Sequence, residues 1–452
     1  MTSKMREALL NFNRQVPRYT SYPTAPHFSA SVTPDTYTSW LMDLKDGASL
    51  SLYVHIPYCR QICWYCGCFT KATRQYAPVT SYVDTLIEEM QLVRERLSGG
   101  QSVGHIHFGG GSPSMLSPED FTRIMTTVRQ LYVPEQDAEI AVELDPREVT
   151  EAKVAAYAKA GVTRVSLGVQ DFHDHVQKAI GRRQPFHVIY DTVQLLKAYG
   201  IEDINMDLLY GLPHQTTADV QENVDFAAAL GPSRIALFGY AHVPWMKKHM
   251  RLIDEDALPN GDVRLTQFEV AAKRLKARGY QAIGLDHFVR PTDTMAVALA
   301  DGTLKRNFQG YTTDKADALI GFGVSAISAL PQGYVQNTLV AADYEAAVAG
   351  NIAPVIKGRE LTNEDRIRRA AIEELMCYFE LDLELFTASH GKPRDYLDDV
   401  LPALYELAAD GLITLKGRHI TVPEQARQAV RLACAAFDAY LQPDTARHAQ
   451  VA

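Results

Sequence analysis

The sequence predicts an α/β protein built on a partial (β/α)6 barrel, with an extended arm before it and a mostly helical, winged-helix-like domain after it. Three observations carry this reading. From about residue 50 onward, short β-rich runs alternate with stretches of helical periodicity, the pattern of successive parallel βα units. The ends of those runs are crowded with glycine and polar residues, as at the functional rim of a barrel. After about residue 355 the alternation gives way to helical patterns and one short hairpin. A chain of 452 residues is long enough for two or three domains.

Residues 1–47 form the arm, punctuated by prolines 17, 23 and 26 in PRYTSYPTAP. A disordered tail is poor in aromatics, whereas this segment offers Tyr19, Tyr22 and Phe28 for packing, so it is expected to close over the barrel mouth. Residues 48–355 hold the barrel and its extension. The strands are SLYVHIP, GHIHFGG, EIAVELDP, RVSLGVQ, INMDLLYGLP and RIALFGYA, separated by amphipathic segments such as SYVDTLIEEMQLVRERL and YDTVQLLKAYG. Their ends lie at residues 55–59, 109–113, 143–146, 168–170, 207–213 and 239–242, and their shared character points to one site at the top of the barrel. The long uncharged stretch 318–342 is interrupted by Pro331, Gln332, Gln336 and Asn337, which suits buried core and not a membrane span. Residues 356–452 form the C-terminal domain, where YLDDVLPALYELAADG, LITL, KGR and HITV read as a helix followed by a hairpin.

Composition narrows the function. Hydrophobic residues at 46% and charged residues at 22% describe an ordinary globular chain. A net charge of −9 argues against non-specific binding to nucleic acid or anionic membrane, so an anionic substrate needs a local basic pocket. The helix expected over 393–410 carries Asp395, Asp398, Asp399, Glu406 and Asp410 against Arg394, the wrong charge for a DNA-recognition helix. This weighs against an iron-sulfur redox-sensing regulator. The first twenty residues carry charges throughout and hold no apolar run of signal-peptide length. Together with unpaired-looking Cys377 and Cys434, that predicts a protein of the reducing cytoplasm.

The remaining four cysteines crowd into Cys59-Arg-Gln-Ile-Cys63-Trp-Tyr-Cys66-Gly-Cys68, directly after the first barrel strand. A CxxxCxxC triplet lets three thiolates converge on one inorganic centre. Structural zinc draws CxxC pairs from two loops, and no second pair exists here, whereas thiolates are the usual ligands of iron-sulfur clusters. Three ligands on a [4Fe-4S] cluster leave one iron open. Gly67 permits a turn tight enough for Cys68 to ligate as well, so a closed cluster or zinc site stays open as an alternative at this stage. The run Gly109, Gly110 and Gly111 allows close backbone approach to a ligand, and no G-x-G-x-x-G opens a helix there.

These features resemble the radical S-adenosylmethionine (SAM) superfamily: CxxxCxxC after the first strand, Trp64 and Tyr65 within it, and GGGSP after the second strand. PRYTSYPTA, LYVHIPYC, VELDPRE, GVQDF, DLLYGLP, YAHVP, LDHFVRP, RNFQGYTT and GVSAIS are similar to segments of the oxygen-independent coproporphyrinogen III oxidases, across nearly the whole chain. Ser112 stands where family members commonly have threonine, and Phe69 where many have a polar residue.

The resemblance implies a radical SAM enzyme that turns two propionates of coproporphyrinogen III into vinyl groups, giving protoporphyrinogen IX in haem biosynthesis without oxygen. It implies a [4Fe-4S] cluster on Cys59, Cys63 and Cys66, where electron donation into SAM releases a 5′-deoxyadenosyl radical. It further implies one SAM at Tyr53, Gly110, Glu143 and Ala241, and a second at Tyr65, Gly111, Ser112, Gln170, Arg182, Asp207 and Ile327. Arg18, Tyr19, Arg290 and Arg306 are candidates for the substrate's propionates, while His55, Tyr240 and His242 receive no proton-transfer role. The expected protein is a monomer that uses an unidentified reductant and electron acceptor. The alternative is a paralogous radical SAM haem chaperone or haem-degrading methyltransferase.

Overall fold

The structure is a computed structural model that describes residues 2–11 and 16–441. The six expected strands form and lie side by side: β1 Ser49–Ile56, β2 Ser102–Gly110, β3 Val133–Leu144, β4 Arg164–Gln170, β5 Asp203–Tyr210 and β6 Arg234–Gly239. Every neighbouring pair is parallel. Parallel strands need cover on both faces, and Val54, Phe108, Val142, Val165 and Ile235 are fully buried. The crossovers are helical because their apolar residues recur at helical spacing. In Ala77–Arg94 the buried positions are Val79, Val83, Leu86, Met90 and Val93. In Pro118–Leu131, Ser117 caps the start by accepting from the Asp120 amide.

The sheet extends beyond these six strands. With β7 Gln281–Ile283, β8 His287–Val289, β9 Ala318–Phe322, β10 Ile327–Leu330, β11 Gly333–Asn337 and β12 Val355–Glu360, it has twelve strands in the order β12-β11-β10-β9-β1-β2-β3-β4-β5-β6-β8-β7. A seventh parallel strand, β9, pairs with β1. The outer strands are antiparallel, and β12 and β7 end the sheet without meeting, so the barrel is partial. The uncharged stretch 318–342 supplies β9, β10 and β11, and Ala318, Ile320, Phe322, Leu330 and Val335 are buried there. Among the described residues no helix is long and apolar enough to cross a membrane.

The C-terminal part has its own core, in which Ile372, Leu375, Leu404, Ile420 and Phe437 pack together. Thr414–Lys416 and His419–Thr421 form the expected hairpin, with Glu380–Asp382 as a third strand. The helix expected over 393–410 is shorter, Leu401–Ala409. Pro402 lacks an N–H and its ring excludes the carbonyl four residues back, so it is tolerated only in a first turn.

The arm departs from the sequence expectation. It contains two helices, Ser3–Asn11 and Pro34–Met42, the second opened by a capping box between Thr33 and Thr36. It also threads the second core: Ala8, Leu9, Val16, Tyr19 and Tyr22 are buried among the C-terminal apolar side chains. The arm is therefore part of the C-terminal domain's interior as well as a neighbour of the barrel mouth.

Candidate active site at the carboxyl rim of the sheet

The cysteine loop leaves β1 and is pinned at its base. The Lys71 amide donates to the Pro57 carbonyl at 2.8 Å and the Thr73 amide to that of Cys59 at 2.9 Å. The Trp64 amide reaches Ile180 at 3.0 Å, and the Cys66 amide closes a turn on the Cys63 carbonyl at 3.1 Å. From across the rim, Lys247 and His249 donate to the carbonyls of Cys68 and Cys66 at 2.9 and 2.7 Å. Cys59, Cys63 and Cys66 thereby line one cavity of about 190 Å3.

Their sulfurs have polar neighbours. The Thr70 hydroxyl donates to Cys59 Sγ at 3.2 Å, and Arg182 and Arg147 reach Cys63 Sγ at 3.4 and 3.8 Å. Cys68 donates its thiol hydrogen to Cys66, and with His249 and Lys247 close by, Cys66 is held down at about 6. That same hydrogen bond, with burial, pushes Cys68 well above the ordinary thiol range. Burial holds Cys59 up at about 11, and binding to a metal would deprotonate it. Among the described residues no three His, Cys, Asp or Glu side chains converge as a single metal ion requires. Cys68 lines the same cavity as the other three cysteines, and a thiol-rich cavity of this kind suits an iron-sulfur cluster.

The strand ends complete the cavity. Tyr65, Gly110, Gly111, Ser112, Glu143 and Gln170 line it, as do Arg182 and Asp207. Two glycines are required. A Cβ on Gly110, whose φ is +107°, would stand 2.4 Å from the His55 ring, and one on Gly111 would stand 2.5 Å from Thr70 Oγ1. Gln170 ends β4 at φ +67°, an uncommon conformation for a residue with a side chain and a form of strain found at functional sites. Asp207 accepts from Asn205 at 2.8 Å and Ser166 at 3.2 Å, while burial and the Glu143 carboxylate push it up to about 6. Burial would raise Asp145 too, but Arg182 and Arg147 hold it down at about 2.

A second cavity of about 520 Å3 opens on the other side of Gly110 and Glu143 and takes in Tyr53 and Ile327. Here the Tyr53 hydroxyl donates to His55 Nδ1 at 3.0 Å, and His55 Nε2 donates to the Phe69 carbonyl at 3.1 Å. Burial lowers the proton affinity of His55, in keeping with this neutral tautomer. Since His55 uses the backbone of Phe69, the departure from a polar residue at 69 leaves this bond intact. His107 meets Glu143 at 2.9 Å and stacks against Tyr53.

Ten of the eleven residues expected at SAM thus line these two cavities, while Ala241 lines a third, of about 420 Å3. Among the propionate candidates, Arg18 lines that third cavity and Arg306 donates to the Arg18 carbonyl at 3.3 Å. Two candidates are corrected. Tyr19 is buried and its hydroxyl donates to Asp438 at 3.1 Å, committing it to the C-terminal core. Arg290 lies beside the start of β6, at the opposite rim: its amide donates to Ser233 and its guanidinium stacks on Tyr280 at 4.0 Å. His55, Tyr240 and His242 are all hydrogen-bonded, the last two to each other at 2.7 Å. Sequence reasoning missed Thr70, Arg147, Lys247 and His249. Of these, Arg147 lay in the strand-end motif VELDPRE, and the others carry no local signal.

Residues 53–227 match the family model of the radical SAM superfamily, and residues 361–429 match the HemN C-terminal domain. The chain is similar to the oxygen-independent coproporphyrinogen III oxidase of Bradyrhizobium diazoefficiens, with 47% identity over 96% of this chain and 97% of that one. The enzyme of the same name from Cereibacter sphaeroides is 42% identical over 97% of both chains, and that of Pseudomonas aeruginosa 40% over 94% and 93%. Among solved structures, coproporphyrinogen III oxidase (HemN) from Escherichia coli, described as a radical SAM enzyme, superposes with a TM-score of 0.89 at 35% identity, covering 95% of this chain and 100% of that one. A site lined by the cysteine loop and by the glycine-bared end of β2, in a chain similar to these enzymes along its whole length, makes the protein a member of the oxygen-independent coproporphyrinogen III oxidase family, within the radical SAM superfamily.

Proposed function

We propose that this site carries out the anaerobic oxidative decarboxylation of coproporphyrinogen III, converting two propionates to vinyl groups with loss of carbon dioxide and giving protoporphyrinogen IX. The observation that carries it is the opening of the CxxxCxxC thiols onto the cavity of Gly110, Gly111, Glu143, Gln170, Arg182 and Asp207. When bound, the [4Fe-4S] cluster and SAM supply a radical strong enough to take hydrogen from an unactivated propionate carbon, which no side-chain base achieves.

The residues of this chain bind, orient and exclude water. Cys59, Cys63 and Cys66 hold the cluster, and Thr70, Arg147 and Arg182 place donors on two of their sulfurs. Tyr53, Gly110, Glu143 and Ile327, which share the second cavity, suit one SAM, and Tyr65, Gly111, Ser112, Gln170, Arg182 and Asp207, which share the cavity of the cysteine loop, suit a second; the expected places of Ile327 and Ala241 are thereby revised, Ala241 lining the third cavity away from Tyr53. Chemically, Glu143 suits an ammonium, Asp207 the ribose hydroxyls and Arg182 a carboxylate. The buried Nε of Arg182, without a hydrogen-bond partner among the described residues, supports a ligand at that point. The chain divides into the arm 1–47, the catalytic part 48–355 and the C-terminal domain 356–452. It works as a cytoplasmic monomer, fed by an external reductant and relieved of electrons by an external acceptor.

The test is anaerobic turnover with SAM, a reductant and coproporphyrinogen III. Protoporphyrinogen IX, methionine and 5′-deoxyadenosine should form together. Cleavage of SAM with no decarboxylated product would instead support a haem chaperone or haem-degrading methyltransferase.

A further inference from the structure

The third cavity, of about 420 Å3, lies where the arm, the end of β6 and the C-terminal domain meet. Three guanidinium groups line it, from Arg18, Arg264 and Arg431, against a single carboxylate, Asp286. That carboxylate is engaged, accepting from His287 Nδ1 at 2.7 Å. In a chain of net charge −9 this is a concentrated positive site.

The arginines are not equivalent. Arg18 donates to the Gly239 carbonyl at 3.2 Å, and Arg431 donates to the carbonyls of Pro17 and Val16. The Arg264 guanidinium makes no hydrogen bond or ion pair among the described residues, and its Nε is wholly buried. The fold nevertheless builds a slot for it. A Cβ on Gly211, whose φ is +80°, would stand 2.5 Å from Nη1, and a Cβ on Gly239 would stand 3.2 Å from Nη2. The guanidinium therefore threads between two glycine backbones, beside the Tyr210 ring at 5.8 Å. Leaving a half-buried guanidinium without a counter-charge is costly. A ligand that brings its own carboxylate removes the cost.

We propose that this cavity is the carboxylate-binding part of the substrate site, with Arg264 as the bidentate anchor for a propionate that is not itself being decarboxylated. The inference rests on the functional reading above. Ala241, on the wall of the same cavity, joins it to the rim that carries the cysteine loop. Holding a remote propionate fixes the macrocycle in register with the reacting one, the usual use of binding energy away from the bond that breaks.

The experiment measures KM and kcat for coproporphyrinogen III on anaerobically reconstituted enzyme, wild type against Arg264→Met and Arg264→Lys, at matched iron content. Losing a charge-assisted bidentate contact should raise KM roughly tenfold to a hundredfold in the methionine variant, with the effect on kcat much smaller. Lysine keeps the charge but not the planar fork, so its KM should fall between the two. Should the methionine variant fail to fold, the lysine variant decides. Unchanged KM in the variants, or a fall in kcat and melting temperature with KM constant, would overturn the inference. If the wild type itself makes no protoporphyrinogen IX, the functional reading fails instead, and the two failures are distinct.

Discussion

Replacing Gly110 with alanine probes how closely the backbone of β2 is fitted to the cysteine loop. At φ +107° a Cβ is sterically disfavoured, at a cost of about 1–2 kcal/mol. The three atoms nearest to the added carbon all belong to the His55 ring, at 2.4 to 2.9 Å, so the imidazole must turn away. Turning it breaks the bonds to Tyr53 and to the Phe69 carbonyl, at about 1 kcal/mol each. The sum, about 3–4 kcal/mol, falls on the segment that carries Cys59, Cys63 and Cys66 and corresponds to roughly 10²- to 10³-fold faster local opening. Hydrogen-exchange mass spectrometry on peptides covering residues 55–72 reads this directly. In a His55→Ala background the clash is absent, and adding Gly110→Ala should then cost only the backbone part, about 1–2 kcal/mol or roughly tenfold. Equal effects of Gly110→Ala with and without the His55 ring would refute the reasoning.

Serine at Cys59, Cys63 or Cys66 should each abolish cluster assembly, measured as iron and sulfide per chain, whereas Cys68→Ser should retain it. Loss on Cys68→Ser would make Cys68 a ligand. Deleting residues 1–26 should abolish decarboxylation, and because Ala8, Leu9, Val16, Tyr19 and Tyr22 line the second core, it should also open the C-terminal domain to protease, at roughly 1.5–3 kcal/mol for each large apolar side chain lost; an undisturbed digestion pattern would contradict the packing. His173, hydrogen-bonded to Asp171 and Glu222, is raised to about 9. A raised histidine stabilises fully below its unfolded value near 6.5 and loses that contribution as pH rises through about 9. With His173 only partly buried and Glu222 exposed, solvent screening holds the gain to about 1 kcal/mol, so the advantage of wild type over His173→Gln in thermal unfolding should shrink between pH 6 and pH 10.

Local order is legible in the sequence. The six parallel strands announced themselves by β-rich runs of matching length, the crossovers by apolar spacing, and the cluster loop by three cysteines within eight residues, because each of these is a property of neighbours in the chain. The C-terminal hairpin was legible for the same reason. The reach of Arg182 to Cys63, which lie 119 residues apart, depends on how β4 is seated against β1's loop, and no local pattern encodes it. The same holds for Arg290, which carried the right chemistry at the wrong rim, and for Tyr19, whose hydroxyl found Asp438, 419 residues away in the chain. The Arg264 slot is the clearest case. Gly211, Gly239 and Arg264 are unremarkable apart; only when the ends of β5 and β6 are packed against the helix Gly261–Ala277 do two bare backbones enclose one guanidinium. Sequence alone determined which segments are strands, helices and the cysteine loop, since periodicity and spacing act over a few residues. Which charges are paired, which are buried alone and which face a shared cavity was decided by tertiary packing, because Coulomb and desolvation energies depend on distances that only the folded chain sets.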